Sequence, residues 1–315
     1  MNPLIHTSSS NVALHTYESA LENPAMNYLL SLSSAQSRVT MQSFLGRVAM
    51  MVQKVTFEQF EWGSLRRPHV MAILTMLNNA QLAPATINTY LAALKGVARE
   101  AWALKQMDAE AYAQIKDIRR NRGVRLAAGR RLQVEELYEL YKACSSVPGD
   151  LIGSRDLAMI SLLAGCGLRR SELVSLDVEN LRSQDQSIVL IGKGNKQREA
   201  FVPQSSWSKL EGWLQLSGIT SGAIFVRVRR ENKITDSRLT SQAVLHVLGQ
   251  RQIQAGLEPL TPHDLRRTYA TLLLENGEDI ATVMDAMGHA DVSTTRRYDM
   301  RNSDHVKAAR DRLKI

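Results

Sequence analysis

Apolar residues recur at helical spacing through the first third of the chain. Met41, Phe44, Leu45, Val48, Met51, Val52 and Val55 fall along one stripe, which predicts a helix burying that face. The spacing returns with Ile87, Tyr90, Leu91, Leu94, Val97, Ala98 and Ala101, after Pro84, whose fixed φ and missing N–H suit a first helical turn. The opposite faces carry Arg47 and Lys54, then Thr89, Lys95 and Arg99; solvated surface and contact with a polyanion both fit them.

From Lys116 the pattern breaks. The stretch KDIRRNRGVRLAAGRR sets Lys116, Arg119, Arg120, Arg122, Arg125, Arg130 and Arg131 against the single acid Asp117, and Gly123 and Gly129 loosen its backbone. Like charges at this density repel, so the stretch is either a solvated linker or one that passes along a polyanion. The second reading is favoured, because a polyanion beside the stretch would relieve the repulsion and release counterions. Beyond it, LQVEELYELYKAC and SRDLAMISLLAGCG return to a helical period. The period then switches to two: SIVLIG and REAFVP, joined by a turn at Lys193–Lys196, predict a β-hairpin, and AIFVRV from Ala223 to Val228 predicts a third strand. Helices resume at Thr240, and no internal repeat interrupts the chain.

The expected fold class is therefore mainly α with a small antiparallel β-sheet, an all-helical N-terminal domain preceding an α+β domain. The expected boundaries are a tail over 1–20, a helical domain over 21–115, a basic linker over 116–131, a second domain over 132–300 and a tail helix over 301–315.

A length of 315 residues exceeds one ordinary core, which agrees with two domains. No apolar run approaches the ~20 residues of a membrane span, and the opening MNPLIHTSSSNVALH lacks the basic start and apolar run of a secretory leader. The only cysteines, Cys144 and Cys166, are expected as reduced thiols in the cytoplasm. They are too few for a Cys-rich zinc site, and Cys166, inside SLLAGCGL, reads as a small buried hydrophobe. The net charge of +8 favours an anionic partner, since each Lys or Arg that neutralises a phosphate releases counterions.

Three short segments concentrate the chemistry: GLRRSEL at Gly167–Leu173, TPHDLRRTYA at Thr261–Ala270 and GHADVSTTRRY at Gly288–Tyr298. In the second, Thr261 is a good N-cap and Pro262 a good first helical residue, so His263 and Arg266 stand three apart on one face near a helix N-terminus. Such a face suits an anion, because backbone N–H groups and the helix dipole add to a guanidinium that can bind two phosphate oxygens. In the third, Gly288 reads as the C-cap of IATVMDAM, placing His289 on a turn before a short helix that Asp291 or Ser293 would cap and that carries Tyr298. Each of these residues alone is more often surface or core than catalytic; the set is what packing does not explain.

Arg169 in GLRRSEL, His263 and Arg266 in HDLR, His289 in GH and Tyr298 nine residues later resemble, in order and spacing, the tyrosine recombinase family of lambda-type integrases, Cre and Xer proteins. The resemblance covers roughly Leu132 to Tyr298, and PATINTYLAALKGVAREAW looks like a helical region of the family's core-binding domain. Cys166 stands where the family usually has Thr, and Met287 where Leu is common; both are packing positions. The resemblance implies a helical core-binding, DNA-binding domain joined to a catalytic domain. It also implies Tyr298 as nucleophile, Arg169 and Arg266 as clamps on the non-bridging phosphate oxygens, His263 and His289 as partners in the site, and a lysine in the hairpin turn. Lys193 takes that place in IGKGNKQREAFVP, with Lys196 its nearest competitor. Glu172 reads either as an orienter of arginine or as a plain helix residue.

The family's product is a 3′-phosphotyrosyl link and a free 5′-hydroxyl, which preserves the energy of the phosphodiester. No cofactor or metal is implied, and the sequence agrees: GKGNK lacks P-loop spacing, and no acidic cluster suits two magnesium ions. Expected DNA-contact residues are Thr86, Lys95, Arg99, Arg119, Arg120, Arg122, Arg125, Arg130, Arg131 and Lys196. The implied partner is duplex DNA with inverted core-binding sites, bound by four protomers on two sites. Val306, Ala309 and Leu313 form a stripe too short for a stable isolated helix, which would dock in cis or on a neighbouring protomer. The helical region starting by about 22–36 leaves no space ahead of it for an arm-binding domain, and the stretch Arg238–Thr261 is too short for an integron-type insertion. A type IB topoisomerase shares this chemistry as a monomer, and a DNA-binding protein without turnover would keep the fold alone. The first lacks a role for the tail, and the full catalytic set speaks against the second.

Overall fold

The computed structural model describes residues 22–123, 129–145, 147, 149–191, 197–229 and 231–288. The chain divides into two compact units, Met1–Leu126 and Ala127–Ile315.

The first unit is helical. Helix α1 (Pro24–Ser31) starts on Asn23, whose side-chain oxygen accepts from the N–H groups of Ala25 and Met26. It is followed by α2 (Ala35–Gln53), α3 (Arg67–Asn79), α4 (Pro84–Ala103) and α5 (Ala109–Lys116), the last capped by Asp108. Helix α4 is the axle: the whole stripe from Ile87 to Ala101 is buried, and Phe44 of α2 stacks on Tyr90 with ring centroids 4.3 Å apart. Gly96 lets the Tyr28 ring of α1 lie against α4; a Cβ there would stand 2.2 Å from the ring. On α2 the buried stripe is narrower than expected. Leu45, Val48 and Ala49 are buried, whereas Met51 and Val52 are exposed, because the last turn of α2 runs past the core before ending at left-handed Lys54. The start of the basic stretch is packed on this unit: Ile118 joins its core, Lys95 Nζ donates to the carbonyls of Lys116 and Ile118 (2.6 Å each), and Asn121 exchanges hydrogen bonds with Asn88.

The second unit packs around the largely buried helix α7 (Leu151–Gly165), with α6 (Val134–Cys144) before it and α8 (Arg170–Ser175) after it. Strands β1 (Leu181–Arg182), β2 (Ser187–Ile191) and β3 (Gln197–Phe201) form one antiparallel sheet in the order β1-β2-β3, with Leu190 opposite Arg198. The expected hairpin is thus present, with its turn outside the described residues. The third strand is β1 rather than the Ala223–Val228 segment. From Val226 that segment forms β4 (Val226–Arg229), which pairs with β5 (Lys233–Arg238) in a separate sheet. Burial alternates within β4 itself, but a period of two is silent on the pairing partner. Helix α9 (Gln204–Ser217) packs on α7, and its Trp213 Nε1 donates to the Ile224 carbonyl (2.9 Å). Helices α10 (Ser241–Gln254), α11 (Pro262–Glu275) and α12 (Ile280–Met287) complete the described unit.

Inside this core Asp156 of α7 joins two arginines: Arg155 (2.7 Å) and Arg251 of α10 (2.8 Å). Arg155 also donates to the Val226 carbonyl and Arg251 to the Ala143 carbonyl, so one carboxylate ties β4, α10 and the end of α6 to α7. Cys144 and Cys166 are free and buried, and burial pushes both thiols up to about 12, which keeps them protonated and unreactive. Among the described residues no helix is long and apolar enough to cross a membrane.

Candidate active site

Helix α11 begins as its sequence dictates. Thr261 is the N-cap, Pro262 follows, and buried Asp264 accepts from the Thr261 N–H and hydroxyl (2.8 Å each), a reciprocal cap at the positive helix end. The other oxygen of Asp264 accepts from the Arg130 N–H (3.0 Å), which fastens the end of the basic stretch to this helix. His263 is exposed on the first turn, and Arg266, one turn on, is buried.

Gly167 makes the approach to α8. Its φ of +58° is left-handed, and a Cβ would stand 2.4 Å from the Tyr269 ring. Leu168 is thereby buried, and Arg169 becomes the N-cap of α8. Arg169 donates through its backbone N–H to Glu172 Oε2 (2.9 Å), through Nη1 to Glu172 Oε1 (2.6 Å) and through Nη2 to the Gly288 carbonyl (3.1 Å). Its side chain keeps 40% exposure while Glu172 keeps 4%, so the guanidinium is anchored from below and open above. Burial alone would raise the pKa of Glu172. The Arg169 N–H, the charge of Arg198 and the Arg169 guanidinium outweigh burial and hold it below the usual carboxylate value. Glu172 is thus an orienter of arginine.

Three guanidiniums converge on the carboxyl end of α12. Arg198 Nη1 donates to the Ala286 carbonyl (3.0 Å), Arg266 Nη2 to the Met287 carbonyl and Arg169 Nη2 to the Gly288 carbonyl. Arg266 Nη1 also donates to the Gly167 carbonyl, linking the approach to Arg169 with the end of α12. Unsatisfied carbonyls and the negative dipole end make a helix C-terminus a natural seat for cations. Gly288, at φ +61°, supplies the left-handed cap.

His263 sits beside this cluster electrostatically. Partial loss of solvent around the ring first, then the charges of Arg267, Arg266 and Arg169, lower its pKa, against a smaller opposing effect of Asp264. Its imidazole is therefore neutral at pH 7 and able to accept a proton. Arg169, Arg198, Arg266 and Arg267 against Glu172 and Asp264 leave a net cationic site. Among the described residues no group of three His, Cys, Asp or Glu is placed to hold a metal ion.

The structure thus brings together Arg169, His263 and Arg266. Lys193, His289 and Tyr298 lie outside the described residues, as do Arg125 and Lys196. Of the residues expected along DNA, Arg119, Arg120 and Arg122 are exposed, Thr86 is half-buried on the first turn of α4, and Arg99 pairs with its neighbour Glu100 (2.7 Å). Lys95 caps carbonyls of its own unit, as described above. Arg130 pairs with Glu136 (2.7 Å) and Arg131 with Glu275, so both already hold carboxylate partners inside the second unit. Arg198 is the site residue that the motifs did not mark. Its signal lay in the period of REAFVP: Arg198 shares the inward face of β3 with buried Ala200, and a cation on a buried face requires a partner.

The Phage integrase family matches residues 130–305. Tyrosine recombinase XerA of Pyrococcus furiosus is 34% identical over 178 residues, 56% of this chain and 60% of that protein, so the chain aligns with less than two thirds of that relative. Tyrosine recombinase XerD of Listeria monocytogenes is 29% identical over 253 residues, covering 78% of this chain and 81% of its own. A crystal structure of a lambda integrase dimer bound to a COC′ core site superposes with a TM-score of 0.64 over 91% of this chain and 96% of that one; at 17% identity this shows a shared fold. With the family match spanning more than half its length and the two arginines of its motifs meeting at one helix end, the chain belongs to the phage integrase family, the tyrosine recombinases that its motifs resemble.

Proposed function

We propose that this protein is a site-specific DNA recombinase that breaks and rejoins strands through a covalent 3′-phosphotyrosyl intermediate. The observation that carries the reading is the meeting of Arg169 and Arg266 at the end of α12, beside a histidine kept neutral.

A phosphodiester resists attack because its oxygens are negative and its leaving alkoxide is poor. Arg169 and Arg266 bind the non-bridging oxygens and stabilise the charge of the pentavalent transition state, where one well-placed donor contributes about 3–4 kcal/mol. A free tyrosine, with pKa about 10, is about one part in a thousand ionised at neutral pH, so Tyr298 needs a proton acceptor. His263 takes that proton, helped by His289 and the cationic surroundings. The Tyr298 oxygen then bonds to phosphorus, the bond to the 5′-oxygen breaks, and Lys193 protonates that oxygen. Attack by a 5′-hydroxyl of the partner duplex reverses the sequence, so bond energy is conserved and the reaction calls for no cofactor.

In this reading residues 21–115 form the core-binding domain, 116–131 a basic linker along the DNA backbone and 132–300 the catalytic domain. The partner is duplex DNA with inverted core sites, engaged by a homotetramer on two sites in the cytoplasm, with the 301–315 tail docked within a protomer or between protomers. Arg119, Arg120 and Arg122 are the leading phosphate contacts in this linker, since each is exposed. The XerA and XerD likenesses support the reaction class.

A nicked suicide duplex tests it. The wild-type chain is expected to form a covalent protein–DNA adduct, and Tyr298→Phe to bind the same duplex without one. Adduct formation by the phenylalanine variant, or tight binding without any wild-type adduct, would overturn the assignment.

A further inference from the structure

Arg198 belongs to none of the three motifs, yet it joins two parts of the site. It reaches from β3 to two acceptors: Glu172 Oε2 (3.1 Å) through Nη2 and the Ala286 carbonyl (3.0 Å) through Nη1. Its side chain keeps 14% exposure, against 40% for Arg169. Among the described residues its buried Nε has no hydrogen-bond partner, and it lies close against Gly288, where a Cβ would stand 2.5 Å away. Arg169 and Arg266 also direct their terminal nitrogens at protein acceptors; Arg198 differs from them in lying outside the motifs and in gripping the carboxylate that anchors Arg169.

What it holds is Glu172. That carboxylate is shared, with Oε1 taken by Arg169 and Oε2 by Arg198 and the Arg169 N–H. Without Arg198 the buried carboxylate would lose one of its compensating charges and the constraint on its rotation, and Arg169 would lose a fixed counter-ion. Glu172, Arg169 and the end of α12 form a closed circuit through the Ala286 and Gly288 carbonyls, and Arg198 closes it.

We infer that Arg198 is a positioning residue for strand cleavage, bridging Glu172 and the carboxyl end of α12 so that the Arg169 guanidinium is held in one orientation toward the scissile phosphate. The inference rests on the recombinase reading above. A clamp displaced by about 1 Å typically costs about 100-fold in rate, so the effect belongs to the chemical step and not to DNA affinity.

The test uses the full chain and a nicked duplex carrying a site recovered from random-sequence DNA by the wild-type protein. Single-turnover cleavage at saturating protein is compared with the Kd for the uncut duplex, for wild type, Arg198→Ala, Arg198→Lys, Glu172→Gln and the Arg198→Ala/Glu172→Gln double variant. Arg198→Ala is expected to cleave roughly 10- to 100-fold slower with Kd changed less than about twofold. The double variant is expected to be no slower than the slower single, because both changes open the same circuit. Arg198→Lys keeps the charge but cannot span two acceptors in a fixed fork, so it is expected between Ala and wild type; it also provides the measurement if the alanine variant does not fold. Wild-type cleavage by Arg198→Ala or, where that variant is unfolded, by Arg198→Lys overturns the inference. So do multiplied losses in the double variant, or a loss confined to Kd. Those results leave the recombinase reading intact if the wild type still forms an adduct and Tyr298→Phe does not; absence of any wild-type adduct overturns both.

Discussion

The second unit contains two carboxylates that each join a pair of arginines, and they differ in one respect. Asp156 holds Arg155 and Arg251 at 6% and 9% side-chain exposure, and Glu172 holds Arg198 and Arg169 at 14% and 40%. The first set faces inward, and its other hydrogen bonds go to the carbonyls of Val226 and Ala143 and to the Gln254 side chain. The second turns one guanidinium outward beside a neutral histidine. The same three-residue device is a staple where both cations are enclosed and a ligand mount where one is left open. What separates them is the exposure of a single arm.

The largest effects should separate the sets by kind. Asp156→Ala leaves two guanidiniums buried without their carboxylate and is expected to lower folding stability by about 3–5 kcal/mol, read by urea unfolding. A loss below about 1 kcal/mol would show that the enclosed set is not a staple. Arg169→Ala and Arg266→Ala are each expected to slow adduct formation by roughly 100- to 1,000-fold in single-turnover assays. Unfolding midpoints should stay close to wild type for Arg169→Ala, whose side chain is the exposed one. Equal effects on stability from Asp156→Ala and Arg169→Ala would erase the distinction.

Smaller changes sharpen it. Gly288→Ala places a side chain at φ +61° against Arg198 and is expected to cost roughly 1–2 kcal/mol in stability, with slower cleavage. The smallest effect is on His263. Partial desolvation and its arginine neighbours lower its pKa, so the imidazole gains its proton only below 6.5. An NMR titration of His263, assigned by its loss in His263→Asn, should find a midpoint below 6.5. Because the folded state resists that proton, this group's contribution to stability is present above 6.5 and lost as pH falls. A midpoint above 6.5 would contradict the electrostatic description of the site.

Much of this arrangement was legible in sequence where a local rule governs it. The cap of α11 follows from Thr-Pro-His-Asp, the core stripe of α4 from its 3.6-residue period, and the hairpin from its period of two. Two kinds of information were not local. The Ala223–Val228 segment does not reveal its partner, since pairing depends on residues distant in sequence, here Lys233–Arg238. Arg155 and Asp156 carry no mark of their setting, because nothing in two neighbouring residues reveals that both are buried together with Arg251. Arg198 lies between these cases: strand alternation puts it on the inner face, but its acceptors sit 26 and 88 residues away.

The end of α12 has one more consequence. Its three acceptors are main-chain oxygens of Ala286, Met287 and Gly288, which every amino acid possesses. Mutation can delete a donor arginine but cannot delete what it grips, so the fragility of this clamp lies on the arginine side and at the one glycine that shapes the turn. A library randomised at Ala286 would leave the handhold in place whatever side chain it installed.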